Sequence, residues 1–193
     1  MFGSEAHQFR LGPTLTDDCI ISFEREHGVV LPPDYRAFLG HCGNGGAGPY
    51  YGLFPLGQRD DIGVQLQRWY EDDGSVGRLA EPFPHTEPWN FPEQQLVPPD
   101  FSNELLEDAW HEQRDAVYWA PDLMNGAFPI CHQGCAYRNI LVVTGTERGR
   151  IWLDARASYG GILPEVDDSG NHQSFTEWYT VWLNGALVAA GLK

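Results

Sequence analysis

The run FEREHGVVLPPDYRAFLGHCGNGGAGPYYGLFPL, residues 23–56, constrains the fold more than any other stretch of the chain. Thr16 is suited to cap a helix, Asp17 and Asp18 favour the positive end of its dipole, and Gly28 stands where that helix must stop. Ile20, Phe23 and His27 fall three and four residues apart, an apolar stripe with a polar end. Pro32 and Pro33 open a second helix, since a missing N–H costs nothing in a first turn. Tyr35, Phe38, Leu39 and Cys42 give it a core-facing stripe at i, i+3, i+4 and i+7. The glycines at 43, 45, 46 and 48, with Asn44, supply the positive φ angles of a sharp corner, and residues 50–56 then read as a strand. No reactive group in the run is placed where chemistry would need it. The run is a fold signature, not a catalytic motif.

The second half of the chain reads as a sheet closed by a helix. Residues 128–132, 139–144 and 150–154 are predicted strands, the last two joined by Gly145, Thr146, Glu147, Arg148 and Gly149 in a hairpin. Ile140, Leu141, Val142 and Val143 form an unbroken apolar run, the pattern of a strand covered on both faces. Ser174 and Glu177 have capping-box spacing ahead of a final helix, residues 175–188, whose apolar face is Phe175, Trp178, Trp182 and Leu183, with Tyr179, Ala186 and Leu187 alongside. Helix pair, antiparallel sheet and closing helix in that order predict an α+β domain. A chain of 193 residues suits one such domain, 1–193, burying about 70% of its unfolded surface. Phe23, Phe38, Leu39, Trp152 and Trp182 are the expected heart of its core.

Residues 57–122 stand apart as an acidic, proline- and tryptophan-rich insert within that domain. Ile62, Leu66, Trp69 and Tyr70 have helical spacing behind Asp60 and Asp61, and Leu105, Leu106, Ala109 and Trp110 have it behind Ser102 as N-cap. Between these two predicted helices, residues 81–99 hold six prolines, which exclude regular structure over most of their length.

Taken together, the helix–Pro–helix–glycine corner at 16–56, the Pro82-Phe83-Pro84-His85 to Trp89 segment, the hairpin from Gly134 to Asp154 and the Trp178-Tyr179 to Trp182-Leu183 helix resemble the SUKH superfamily, in the branch named after a fungal cell-wall-synthesis regulator. The resemblance runs discontinuously from about residue 16 to 187, and the acidic middle departs from it. It implies helices packed on a central, curved antiparallel sheet. It also implies a non-enzymatic immunity protein that neutralises a cognate polymorphic toxin. The alternative within the same resemblance is an interaction module in a regulatory or cell-wall assembly pathway.

Catalytic readings find little support in the residues. The glycine run after Cys42 has no Lys-Ser/Thr pair behind it and leads to a strand, so it is no phosphate loop. Ser158 lacks the nucleophile elbow. The seven histidines are scattered without an HxxxH pair. Cys131, His132 and Cys135 pair thiolate with imidazole, but a structural zinc site needs a second cysteine pair, and neighbours on a strand face opposite ways. The expectation is no catalytic residue, no cofactor and no metal. Cys19 and Cys42 are expected on helices as small buried thiols. No stretch approaches the roughly 20 apolar residues of a membrane span, and no secretory signal opens the sequence, so a cytoplasmic location with reduced cysteines is expected.

Charge points to a partner. Asp and Glu number 27 against 12 Lys and Arg, a net charge of −15, which disfavours direct contact with nucleic acid. Residues 60–122 alone carry 15 acidic side chains against Arg68, Arg78 and Arg114. The same segment holds Trp69, Tyr70, Trp89, Trp110 and Trp119. Acidic groups around aromatic anchors suit a basic protein, the charges steering encounter and the rings supplying hot spots. Nuclease and deaminase toxins are often basic because they must grip phosphate. Asp72, Asp73, Glu107 and Asp108 are therefore candidate steering charges, and Trp69, Trp89 and Trp110 candidate anchors, for a toxin domain.

Overall fold

Ile140, Leu141, Val142 and Val143 run along a central strand of a four-stranded antiparallel sheet, and their side chains divide between two separate cores. In the computed structural model, which describes residues 1–57, 59–61, 65–67, 76–92, 95 and 103–192, five α-helices accompany this sheet. They are α1 (Ser4–His7), α2 (Asp17–His27), α3 (Pro33–His41), α4 (Glu104–Tyr118) and α5 (Phe175–Ala189). A separate small ladder pairs β1 (Arg59–Asp61) with β2 (Gln65–Gln67). The main sheet is β3 (Ala127–Gly134), β4 (Tyr137–Val142), β5 (Ile151–Asp154) and β6 (Ile162–Pro164), each strand paired with the next in sequence. The architecture is α+β, a curved and unclosed sheet carrying helices.

Leu141 and Val143 point to the face covered by α2, α3 and α5, where Ile20, Tyr35, Phe38, Leu39, Phe175 and Trp178 close over them. Ile140 and Val142 point the opposite way, into a core with Phe83, Met124, Trp152 and Ile162. One strand with a period of two thus serves both faces. On β3, Pro129 opposes Ile140 while Cys131 opposes Asn139, so Ile130 is an extra residue against the partner strand. This bulge, next to Pro129 with its missing N–H, lets both Ile130 and Cys131 reach the helical core.

The helix ends follow the sequence. The Thr16 hydroxyl accepts from the Cys19 N–H, and Gly28 caps α2 in the left-handed region at φ 65°. Ser174 and Glu177 form the full capping box of α5. Polar cross-links fasten the elements: Arg148 in the β4–β5 hairpin donates to the Val30 and Leu31 carbonyls of the α2–α3 loop, both at 2.9 Å, and the Thr176 N–H of α5 donates to Asp34 of α3 at 3.1 Å.

Several expectations need correcting. Residues 50–56 do not form a regular strand. Leu53 alone bridges Cys131, flanked by Tyr51 N–H to His132 carbonyl and Phe54 N–H to Ile130 carbonyl. Gly52, at φ 98°, and Pro55 interrupt the ladder. The helix expected around Leu66 is a strand pair, with Asp60 opposite Leu66, and the rest of that helix, Trp69 and Tyr70 included, lies outside the described residues. Gly63 in its middle works against a helix. The second insert helix is α4, but Asn103, not Ser102, caps it. Cys19, Cys42 and Leu183 are exposed, not buried, and Phe23 and Trp182 are half-buried where Phe38, Leu39 and Trp152 are fully inside.

Candidate functional site

The acidic, aromatic surface is built on α4. Its sequence, ELLEDAWHEQRDAVY, buries only Arg114 and Tyr118, which stand four apart near its C-terminal end. Trp110, His111 and Asp115 are half-buried on the same side. The remaining positions face solvent. Leu105 and Leu106, read from sequence as the inner stripe, are 79% and 51% exposed, with Glu104, Glu107, Asp108 and Glu112 around them. A helix that keeps two leucines outside, among four carboxylates, presents a mixed apolar and acidic face.

Arg114 explains how the helix is held. Its guanidinium lies 5.0 Å from the Trp110 ring centroid and 4.8 Å from that of Tyr159. It also donates through Nε and Nη2 to Asp115, at 2.8 and 2.6 Å. A cation between two rings is well matched to a partly desolvated site. Trp110 is therefore fixed in place from beneath while its edge remains at the surface.

A second cation repeats the arrangement one turn further on. Arg156 is fully buried, pairs with both oxygens of Asp154 at 2.8 Å, and lies 4.9 Å from the Trp119 ring. Its Nη1 donates to the Tyr118 carbonyl at 3.2 Å. Trp119 itself is 41% exposed. It was not among the anchors named from sequence, and its position directly after the last buried residue of α4 is the signal that could have found it. The aromatic surface thus comprises Trp110, Val117, Trp119 and Tyr159, with the Glu107 and Asp108 carboxylates nearby on the helix.

The other candidates fall elsewhere. Trp89 is half-buried in the cover of the sheet, exchanging backbone hydrogen bonds of 2.9 and 2.8 Å with Ile162 and stacking on Tyr118 at 5.5 Å. Its ring holds the irregular segment 81–92 down. Trp69, Asp72 and Asp73 lie outside the described residues. Glu107 is exposed and 3.9 Å from His111, one turn on, and Asp108 is exposed.

Cys131, His132 and Cys135 do not converge. Cys131 is buried and its thiol donates to the Pro49 carbonyl at 3.2 Å, with burial pushing its pKa well up. His132 is half-buried against the ring of Tyr51. Cys135 is exposed at the tip of the β3–β4 turn, where it and Ala136 both adopt positive φ. Among the described residues no group of three or more His, Cys, Asp or Glu is placed to hold a metal ion. No helix among them is long and apolar enough to cross a membrane.

The helix pair, the four-strand meander and the capped closing helix define a SUKH-type α+β domain. The family model of the SMI1 / KNR4 family (SUKH-1) matches residues 14–179, and the chain belongs to that family. Comparison with curated proteins and with solved structures gave no match.

Proposed function

We propose that this chain is a non-enzymatic immunity protein that binds a basic toxin domain, of nuclease or deaminase type, and neutralises it in the cytoplasm. The observation that carries this reading is the outer face of α4, where Leu105 and Leu106 stand exposed among Glu104, Glu107, Asp108 and Glu112. Exposed leucines supply contact area, and the carboxylates steer a positively charged partner. Trp110 and Trp119, each backed by a buried arginine, are the aromatic anchors beside that face. Trp69, Asp72 and Asp73 belong to the same acidic segment of sequence and are proposed as partner-binding residues on that ground.

Family membership supports a protein-binding role of the immunity type or of the SMI1/KNR4 interaction type. Charge favours the first, because a net charge of −15 is what an inhibitor of a phosphate-gripping protein needs. The test is binding to the C-terminal domain of a large secreted protein encoded beside this gene, with rescue of cells expressing that domain. Glu107→Lys with Asp108→Lys should slow association about tenfold or more at low salt and change dissociation little. Leu105→Ala or Trp110→Ala should speed dissociation, at a cost of roughly 2 kcal/mol or more for an anchor. Capture of regulatory proteins, with no rescue from any neighbouring toxin, would favour the interaction-module reading.

A further inference from the structure

A cleft of about 510 Å³ opens between Tyr50, the segment from Glu165 that follows β6, and the Trp178 to Trp182 stretch of α5. None of its lining residues belongs to α4. Glu165 is held rigidly in its wall. The Glu165 N–H donates to the Ile151 carbonyl at 2.9 Å, its carbonyl accepts from the Gln173 N–H at 2.8 Å, and its Oε1 accepts from the Asn139 amide at 2.6 Å. Asn139 is fully buried, and its own Oδ1 accepts from Gln133 at 2.8 Å. The network thus fixes one carboxylate oxygen and leaves Oε2 with no hydrogen bond and no cation within 4 Å among the described residues, although Met1 also lines the cleft. Burial holds this carboxyl above its usual range, the Asn139 hydrogen bond opposing the shift.

Gln173 lines the same cleft. It is nine-tenths buried, its backbone is paired with Ile151 and Glu165, and its side-chain amide lines the cleft with no hydrogen-bond partner among the described residues. Its amide tip is not among the buried unpartnered atoms, so it stays open to solvent and to a group entering the cleft. The neighbouring wall is aromatic: Trp178 is 6% exposed, Trp182 is half-buried, and Tyr50 stands at the rim. Asp167 and Asp168 at the mouth disfavour an anion.

We propose that this cleft receives an arginine side chain from a basic protein partner, its guanidinium meeting Glu165 Oε2 and the Gln173 side-chain Oε1 while its stem lies along Trp178 and Trp182. A guanidinium offers several coplanar donors, which a free carboxylate oxygen and an amide oxygen accept together. Its face also stacks on aromatic rings. The inference goes beyond the α4 reading, and it is tested without a toxin.

The experiment titrates the full-length protein with acetyl-Gly-Arg-Gly-amide up to roughly 20 mM, following the indole N–H resonances of Trp178 and Trp182. A saturable shift is expected with the arginine peptide and none with the same peptide carrying neutral citrulline. Glu165→Gln keeps the bond from Asn139 and should weaken binding about tenfold or more while leaving the melting temperature unchanged or raised. Val181→Arg, at a position 64% exposed beside the mouth, offers a tethered competitor and should weaken the peptide as well. Silent indoles, an equal response to citrulline, or unaltered affinity in both variants would overturn the proposal. Tighter binding of free arginine than of the peptide would overturn the assignment to a protein partner.

Discussion

The two faces of the sheet are covered by different means. On one, α2, α3 and α5 cover the sheet mainly with apolar and aromatic side chains, and Phe175 meets Tyr35 and Phe38 edge-on at 4.9 and 5.1 Å. On the other, an irregular proline-rich segment supplies Phe83, His85 and Trp89. A helix satisfies its own backbone, so it can lie on a sheet through side chains alone. A loop cannot, and every buried N–H and carbonyl in it needs a partner of its own. Hence Phe83 N–H donates to the Thr144 carbonyl, Trp89 exchanges hydrogen bonds with Ile162, and His85 Nε2 donates to the Leu123 carbonyl at 2.9 Å. The buried arginines also belong to this side: Arg156 caps Tyr118 and Arg114 lies between rings. The loop-covered face is polar in its fastenings because its cover is a loop.

The largest test of that contrast removes a side chain from the helical face. Phe175→Ala should cost about 3–5 kcal/mol and unfold the whole domain in one step, read by urea denaturation. Gly126→Ala tests the other face. Gly126 has φ 67°, and an added Cβ would meet the Glu81 carbonyl oxygen and the Phe83 nitrogen at 2.6 Å. A cost of roughly 2–3 kcal/mol is expected, with faster amide exchange at Phe83 and Trp89 before the helical face is affected. Simultaneous loss of protection on both faces would mean that the two covers are one cooperative unit. Ser174→Ala should cost about 1 kcal/mol through the α5 cap, and circular dichroism melts would register it.

Acid should act on both faces, since His85 packs under the loop cover while His27 lies on α2 and His7 against Trp182 of α5. Burial holds His85 below its ordinary pKa, with Arg156 adding to the depression and the Leu123 carbonyl opposing it, and His7 and His27 are lowered by burial too. The unfolded chain therefore takes up protons first as pH falls. Stability from neutral histidine is fully present above about pH 6.5 and is lost below it, toward the lowered folded values. The protection factor of the Phe83 amide, exchange corrected for its intrinsic pH dependence, should fall on passing from neutral pH to below that point, and His85→Gln should reduce the change. The smallest effect on stability is expected from Glu107→Lys with Asp108→Lys, within about 0.5 kcal/mol by denaturation, because both side chains are exposed.

Sequence patterns carried the helical face well. Thr16, Gly28 and the Ser174–Glu177 box mark helix ends by local chemistry that tertiary contacts do not override. The run from Ile140 to Val143 announced two covered faces. It could not announce what covers the second, because Phe83, His85 and Trp89 have no period to read. Residues 50–56 read as a strand, yet Gly52 and Pro55 confine its bridges to Leu53, which pairs with Gly46 and with Cys131. On α4 the adjacent leucines drew the inner stripe to the wrong side. The residues that attach the helix are Arg114 and Tyr118, and an arginine held between Trp110 and Tyr159 joins positions far apart in the chain. The charge of residues 60–122 was legible as a total, but which carboxylates face outward depends on that attachment.

The order of the meander also sets the order of synthesis. Each main-sheet strand pairs with the next, so β3 to β6 can assemble from contacts local in sequence. The helices α2 and α3 leave the ribosome first, and the strands they cover follow only after about 85 further residues, roughly 4–17 s later at ordinary elongation rates. During that interval the stripe of Tyr35, Phe38 and Leu39 has no sheet to rest on. Nascent chains arrested before residue 127 should therefore bind a ribosome-associated holdase chaperone through these helices, and chains arrested beyond residue 175 with the sheet outside the exit tunnel should not.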